Sequence, residues 1–442
     1  MTGSAVVAKS AAGCQNRSQE MGAAHEVRAA SDGTGARLPR RFGAYHLFDQ
    51  IGRGGMADIY LARMDTGLGT PRRVVVKEIL AELSRDERFA TMLIEEAKLV
   101  SPLRHGNVVQ VLDLGREADR LFIAMEYVEG FDLNQLLRRL TKKRLGLPAE
   151  FAMFLVREAL AALDYAHRAR DDHGEPMGIV HRDVSPSNVL ISFEGEVKLC
   201  DFGIARALST TDTPSGEHRG TDEATGEREK VAGKAAYMSP EHARGDDIDR
   251  RADLFSAGII LWELCAGRRL YKGTEEKMLE LAREGAVPPL PERGLPLQGE
   301  LQAILDRALQ YDPADRYPSA QAMLRDLDRY AARAKLIASQ IRFGSFLSDH
   351  FSSEVIEVRR QREIAAAALE LGPPVQIQAL PEEAPTDPDD DPPVPQQSTM
   401  RLAPSAAARP PDTSTRDRVV AVLTFVALVA IGAIVLLVAL LV

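Results

Sequence analysis

Residues 181–190 read HRDVSPSNVL. A carboxylate, Asp183, is followed five residues later by a carboxamide, Asn188. Thirteen residues beyond Asn188 comes a second carboxylate, Asp201, in LCDFG at 199–203. A lone DFG arises often by chance. HRDxxxxN followed at this spacing by DFG does not.

The chain around this stretch has 442 residues, 45% hydrophobic and 27% charged. That is enough for one large core with appendages, or for two to three domains. The net charge is −9 and there is no long basic run, so nucleic acid is not expected as a partner. Cys14, Cys200 and Cys265 are far apart, with no C-x-x-C pair. A disulfide framework or zinc site is therefore not expected, and a reducing compartment fits.

Residues 1–43 are rich in Ala, Gly and Ser without sustained periodicity, and are read as a disordered segment. They hold no continuous apolar stretch of the secretory type, and Met1 and Met21 both stand as possible starts. Residues 44–330 are globular. Alternating, β-branched runs over 45–62 and 72–79 predict strands, 86–102 predicts a helix, and VVQVLDLG and RLFIAMEYV predict further strands. After Gly130 the patterns are mostly helical, as in FAMFLVREALAALDYAH and ADLFSAGIILWELCAG. Strands first and helices after predict an α+β fold with a small β-rich lobe and a larger α-helical lobe. Residues 331–372 continue as a helical extension.

Residues 373–418 then form a linker with 11 prolines and the acidic cluster Glu382, Glu383, Asp387, Asp389, Asp390 and Asp391. Such a chain cannot bury a core, and as a flexible tether it would span roughly 40 Å. Residues 419–442 are 24 in number and carry no charge. As a helix they would be roughly 36 Å long, enough for a hydrocarbon core of about 30 Å. Arg416 and Arg418 precede this run, as expected for a cytoplasmic N-terminal side. The expectation is a single-pass, C-terminal transmembrane helix, inserted tail first.

Other stretches carry chemistry. IGRGGMADIY, residues 51–60, puts a glycine-rich turn between two strands, where backbone N–H groups can approach phosphates without an intervening Cβ. Eighteen residues past Ile59, VVVK ends at Lys77. Glu95 and Glu96, in LIEEAKLVSPLRHGNVV, are the carboxylates available to orient that lysine. Together with HRDVSPSN and LCDFG, these stretches resemble the protein kinase family, and in particular the bacterial eukaryotic-type serine/threonine kinases. The resemblance covers about residues 45–330.

The resemblance implies a two-lobed kinase fold, ATP and Mg2+ as cofactors, and a role for each matched residue. The loop Ile51, Gly52, Arg53, Gly54, Gly55, Met56, Ala57, Asp58 and Ile59 would cover the phosphates, with Ala57 where the family has its third glycine. Lys77 would pair with the α- and β-phosphates. The family's E-A-x-x-x-x-x-L-x-H run selects Glu96 over Glu95 as its partner. In LFIAMEYVEG, Met125 would be the gatekeeper and Glu126 to Val128 the hinge that holds adenine. Asp183 would accept or orient the proton of the substrate hydroxyl, and Asn188 and Asp201 would hold magnesium. His181 and Arg182 would be mainly structural, and Arg182 could also pair with an anion. Glu241 of MSPE would pair with Arg316, and Asp253 would anchor the catalytic loop.

One position departs from the family. Ser185 stands where serine/threonine kinases carry a lysine, and Lys234, in GKAAYMSPE, stands where they carry a threonine. In one reading the two residues are exchanged, and Lys234 supplies the missing charge from the other side of Asp183. In the other, two losses leave a pseudokinase that binds nucleotide as a membrane-tethered scaffold. The activation segment has Ser209, Thr210, Thr211, Thr213, Ser215, Thr221 and Thr225, but nothing between Gly226 and Ala236 can be phosphorylated. Glu227 and Glu229 either imitate a phosphate there or are a solvated charged loop. The sequence thus predicts a membrane-anchored protein kinase that faces the cytoplasm and acts on protein serine or threonine. A small-molecule phosphotransferase and a tyrosine kinase fit it less well.

Overall fold

The computed structural model describes residues 38–64, 72–202 and 235–371. Six strands form one antiparallel sheet: β1 (Arg40–Phe42), β2 (Tyr45–Arg53), β3 (Ala57–Met64), β4 (Arg72–Ile79), β5 (Val111–Glu117) and β6 (Arg120–Glu126). Their order is β1-β2-β3-β4-β6-β5. Side chains alternate between its faces with the strand period of two. On β6, Phe122 and Ala124 join Tyr45, Leu47, Tyr60, Val74 and Val76 on one face, while Leu121 and Ile123 turn to the other. The short helix α1 (Ala81–Arg85) leads into α2 (Glu87–Val100), which covers that second face with Phe89, Leu93 and Ala97. Asp86 starts α2 by accepting hydrogen bonds from the N–H groups of Arg88 and Phe89.

Beyond β6 the chain becomes helical around a second, three-stranded sheet of β7 (Gly130–Asp132), β8 (Val189–Ser192) and β9 (Val197–Leu199). Its helices are α3 (Leu133–Lys142), α4 (Ala149–His167), α5 (Pro240–Arg244), α6 (Arg250–Ala266), α7 (Glu275–Glu284), α8 (Gln298–Ala308), α9 (Ala320–Arg333) and α10 (Gln340–Leu371). Every residue of α6 from Ala252 to Ala266 is buried. That explains why GIILWELCA has no polar stripe: the helix runs through the lobe's core. The architecture is the expected α+β pair, a β-rich N-lobe and a helical C-lobe.

The extension expected at 331–372 holds the end of α9 and all of α10, and α10 is built into the C-lobe core. Phe343, Leu347, Phe351 and Val355 recur every fourth residue and are buried in one stripe. Phe343 meets the rings of Phe151 and Phe154, and Phe351 meets Phe131.

Among the described residues no helix is long and apolar enough to cross a membrane. Residues 419–442, the linker, the N-terminal segment to residue 37 and residues 203–234, with Lys234 and the candidate phosphorylation sites, lie outside the described residues.

Candidate active site

The catalytic loop hangs from α6. The buried carboxylate of Asp253 accepts hydrogen bonds from the backbone N–H of His181 and of Arg182, each at 2.8 Å. His167, at the end of α4, donates to it from Nε2, also at 2.8 Å. Burial alone would push the Asp253 carboxyl up. The hydrogen bond and charge of His167, with help from His181, outweigh that and hold it below the usual carboxylate value.

His181 joins the loop to the strand that carries Asp201. Its Nε2 lies 2.9 Å from the carbonyl oxygen of Cys200, so that nitrogen donates. Its Nδ1 then accepts from the N–H of Asp183, at 3.2 Å. Asn188 closes the loop by donating from Nδ2 to the carbonyl oxygen of Asp183, at 2.7 Å. This fixes the amide orientation and leaves its Oδ1 as the free ligand atom. The carbonyl of Asn188 accepts from the N–H of Cys200 at 2.9 Å, which ties it to the residue before Asp201. Arg182 and Asp201 both have left-handed backbone, φ 65° and 61°. Such conformations are uncommon for residues with side chains and are held in place by their surroundings. Here both flank the point where the two loops meet.

Lys77 reaches this point from β4. Its Nζ lies 3.0 Å from Asp201 Oδ1. The sequence predicts Glu96 as its partner; the ion pair seen among the described residues is with Asp201, whose turned backbone brings its carboxylate to the ammonium. Of the two glutamates, Glu96 is buried and Glu95 is exposed.

The glycine-rich turn joins β2 to β3, closed by a hydrogen bond from the Gly54 N–H to the Ala57 carbonyl at 2.9 Å. None of Gly52, Gly54 and Gly55 has positive φ. A Cβ would meet no atom within 4 Å at Gly55, and none nearer than 3.7 Å at Gly54. Neither backbone strain nor packing therefore accounts for these two glycines, whereas close approach of a ligand would. Asp58 is buried and accepts from Arg53 Nε at 2.8 Å and Gln50 Nε2 at 3.0 Å.

At the hinge, the Glu126 N–H donates to the Gln110 carbonyl, at 2.9 Å. Its carboxylate accepts from the Gln110 N–H at 2.8 Å and from Lys198 Nζ at 3.0 Å. Among the described residues, no backbone hydrogen bond uses Val128. Ser185 is buried, with its hydroxyl 3.0 Å from that of Ser187. Further out, Arg316 forms a two-point pair with Glu241, at 2.7 and 2.8 Å, and both side chains are buried.

Two participants escaped the sequence. Nothing in DYAH marks His167 as a donor to a carboxylate 86 residues away. Lys198 reads as an ordinary strand residue. Its place against Glu126 follows only from β9 running behind the hinge.

A β-rich lobe with an open glycine turn, set on a helical lobe whose loops gather Asp183, Asn188 and Asp201, defines a protein kinase. The protein kinase domain family matches residues 45–327. "Tyrosine-protein kinase MasK" of Myxococcus xanthus (strain DK1622) is 36% identical over 318 residues, 72% of this chain and 47% of that one. "Probable serine/threonine-protein kinase PknB" of Bifidobacterium longum (strain NCC 2705) is 36% identical over 298 residues, 65% of this chain and 40% of that one. "Serine/threonine-protein kinase PrkC" of Bacillus subtilis (strain 168) is 32% identical over 327 residues, 74% of this chain and 46% of that one. The chain spans less than half the length of each of these relatives. It belongs to the protein kinase family.

Proposed function

We propose that this chain is an ATP-dependent protein kinase that transfers the γ-phosphoryl group to serine or threonine hydroxyls of proteins. The observation that carries this reading is the meeting of Lys77, Asp183, Asn188 and Asp201 beneath an open glycine turn. Bound ATP would supply the phosphoryl group, and Mg2+ would offset the charge on its oxygens. The residues present fit both. Gly54 and Gly55 leave room for phosphate, and Asn188 Oδ1 and Asp201 provide two oxygen ligands, the partial set that Mg2+ accepts.

The residue roles follow. The backbone from Ile51 to Ile59 would hold the phosphates, and Glu126 to Val128 the adenine edge. Val128 contributes backbone groups that no other backbone group uses among the described residues. Asp183 would orient the attacking hydroxyl and take its proton. Most of the rate would come from positioning and charge neutralisation. An ammonium has three N–H donors, so Lys77 would serve phosphate oxygens while it keeps Asp201, with Glu96 as a further carboxylate to orient it. Lys234 would supply the charge that Ser185 lacks, on the sequence argument alone. By the same kind of argument, residues 419–442 would anchor the chain in a membrane with the kinase domain in the cytoplasm.

A second reading, a nucleotide-binding pseudokinase, is favoured by Ser185, which places a hydroxyl paired with Ser187 where a cation is expected. Transfer of label from γ-labelled ATP with Mg2+, followed by acid hydrolysis of the product, separates the possibilities. Phosphoserine or phosphothreonine is the expected product. Phosphotyrosine alone would overturn the hydroxyl assignment, and bound nucleotide with no transfer would favour the pseudokinase.

A further inference from the structure

The far end of α10 leaves the C-lobe core and crosses to the hinge. Arg359 donates from Nε to Glu129 at 3.0 Å and from Nη2 to Glu194 at 2.9 Å. One turn on, Arg362 donates from Nη1 to the Tyr127 hydroxyl, and its guanidinium carbon lies 5.2 Å from the centre of the Tyr127 ring. Tyr127 is the residue between Glu126 and Val128. Glu129 also pairs with Arg73 of β4 in the N-lobe, at 3.6 Å. The charge of Arg362 is felt on β2 as well: burial pushes the Asp49 carboxyl up, and Arg362 opposes that rise. Two arginines of one helix thus hold the hinge from outside, close to strands of the N-lobe.

The helix is fixed well enough to act as a brace. Phe343, Leu347 and Phe351 are fully buried. Beside them α10 meets the turn between β8 and β9 backbone to backbone. A Cβ at Gly195 would lie 2.3 Å from the Gln340 carbonyl oxygen, and one at Gly344 would lie 2.7 Å from the Glu194 carbonyl oxygen. Only glycine at both places permits this crossing. With the first half of α10 held so closely, the position of Arg359 and Arg362 is set by the C-lobe.

We propose that Arg359 and Arg362 are positioning residues for the nucleotide: by holding Tyr127 and Glu129, α10 fixes the hinge backbone on which adenine would rest. The inference rests on the nucleotide-binding reading above. The arginines touch no reacting atom, so their loss should weaken nucleotide binding and leave the chemical step nearly intact. Charge-assisted hydrogen bonds and a ring contact of this kind correspond to about a five- to tenfold change in affinity.

The test uses the full-length protein and a fluorescent ATP analogue, with kcat and KM for ATP measured beside the dissociation constant. Arg362→Ala and Arg359→Ala should each raise the dissociation constant and KM about five- to tenfold, with kcat within about twofold of wild type. Arg362→Lys, which can still donate to the Tyr127 hydroxyl, should recover part of the loss. Arg360→Ala, at an exposed position on the same helix, should bind as wild type does. If wild type binds the analogue and both alanine variants bind it equally well, the inference is wrong and the kinase reading stands. A lowered melting temperature with unchanged nucleotide affinity would also overturn it, since α10 would then serve stability alone. If wild type itself fails to bind, the nucleotide reading falls and takes the inference with it.

Discussion

Asp253 shows how much of the catalytic loop depends on one buried carboxylate. Its two oxygens take three donors, two from the loop's backbone and one from His167. Asp253→Asn would set an amide N–H₂ against at least one of those donors. The expected cost is about 2–4 kcal/mol of unfolding free energy in denaturant titrations, with loss of phosphate transfer as the loop shifts. The pH dependence has a definite sign. The folded carboxyl titrates below its ordinary value of 3.8, so its contribution to stability is complete above that value. It is lost as the pH falls through the lower, folded value. Wild type should therefore lose stability on acidification in that range more steeply than the Asn variant. The motif residues were legible in the sequence because their chemistry restricts the residue type at fixed spacings. The pairing of Lys77 with Asp201 was not, because it depends on how the left-handed backbone at Asp201 aims that carboxylate.

Among the elements, α5 is held by the Glu241–Arg316 pair. Arg316 is fully buried and also donates to the carbonyl oxygens of Gln310, Tyr311 and Arg251. Arg316→Met leaves Glu241 as a buried charge without its cation and should cost about 3–5 kcal/mol. Adding Glu241→Leu should recover a good part of this, because the stranded charge is removed. A double variant no more stable than Arg316→Met would contradict that account. A second prediction runs against helix propensity. Gly344 lies inside α10, where alanine would ordinarily gain about 0.5–1 kcal/mol. Gly344→Ala should instead destabilise the protein, because its Cβ would be 2.7 Å from a backbone oxygen that cannot yield cheaply. Here the sequence showed half of the arrangement. The stripe Phe343, Leu347, Phe351 and Val355 announces a helix with one buried face, but nothing in that period says which surface it meets.

At the scale of the molecule, the order of elements was legible because alternating runs precede helical ones, and a two-lobed fold follows from that order. How the lobes are held was not. Arg359 and Arg362 read as surface charges on an extension, and they become hinge contacts only once α10 is laid across the C-lobe. The central claim is that this assembly transfers phosphate. The most direct measurement is transfer from γ-labelled ATP by the full-length protein, with wild type beside Asp183→Asn and Lys234→Ala. The account predicts that wild type labels itself or a generic protein substrate and that both variants are silent. Loss in Asp183→Asn alone would keep the kinase and discard the exchange of Ser185 with Lys234. Silence of all three while nucleotide still binds would contradict the claim.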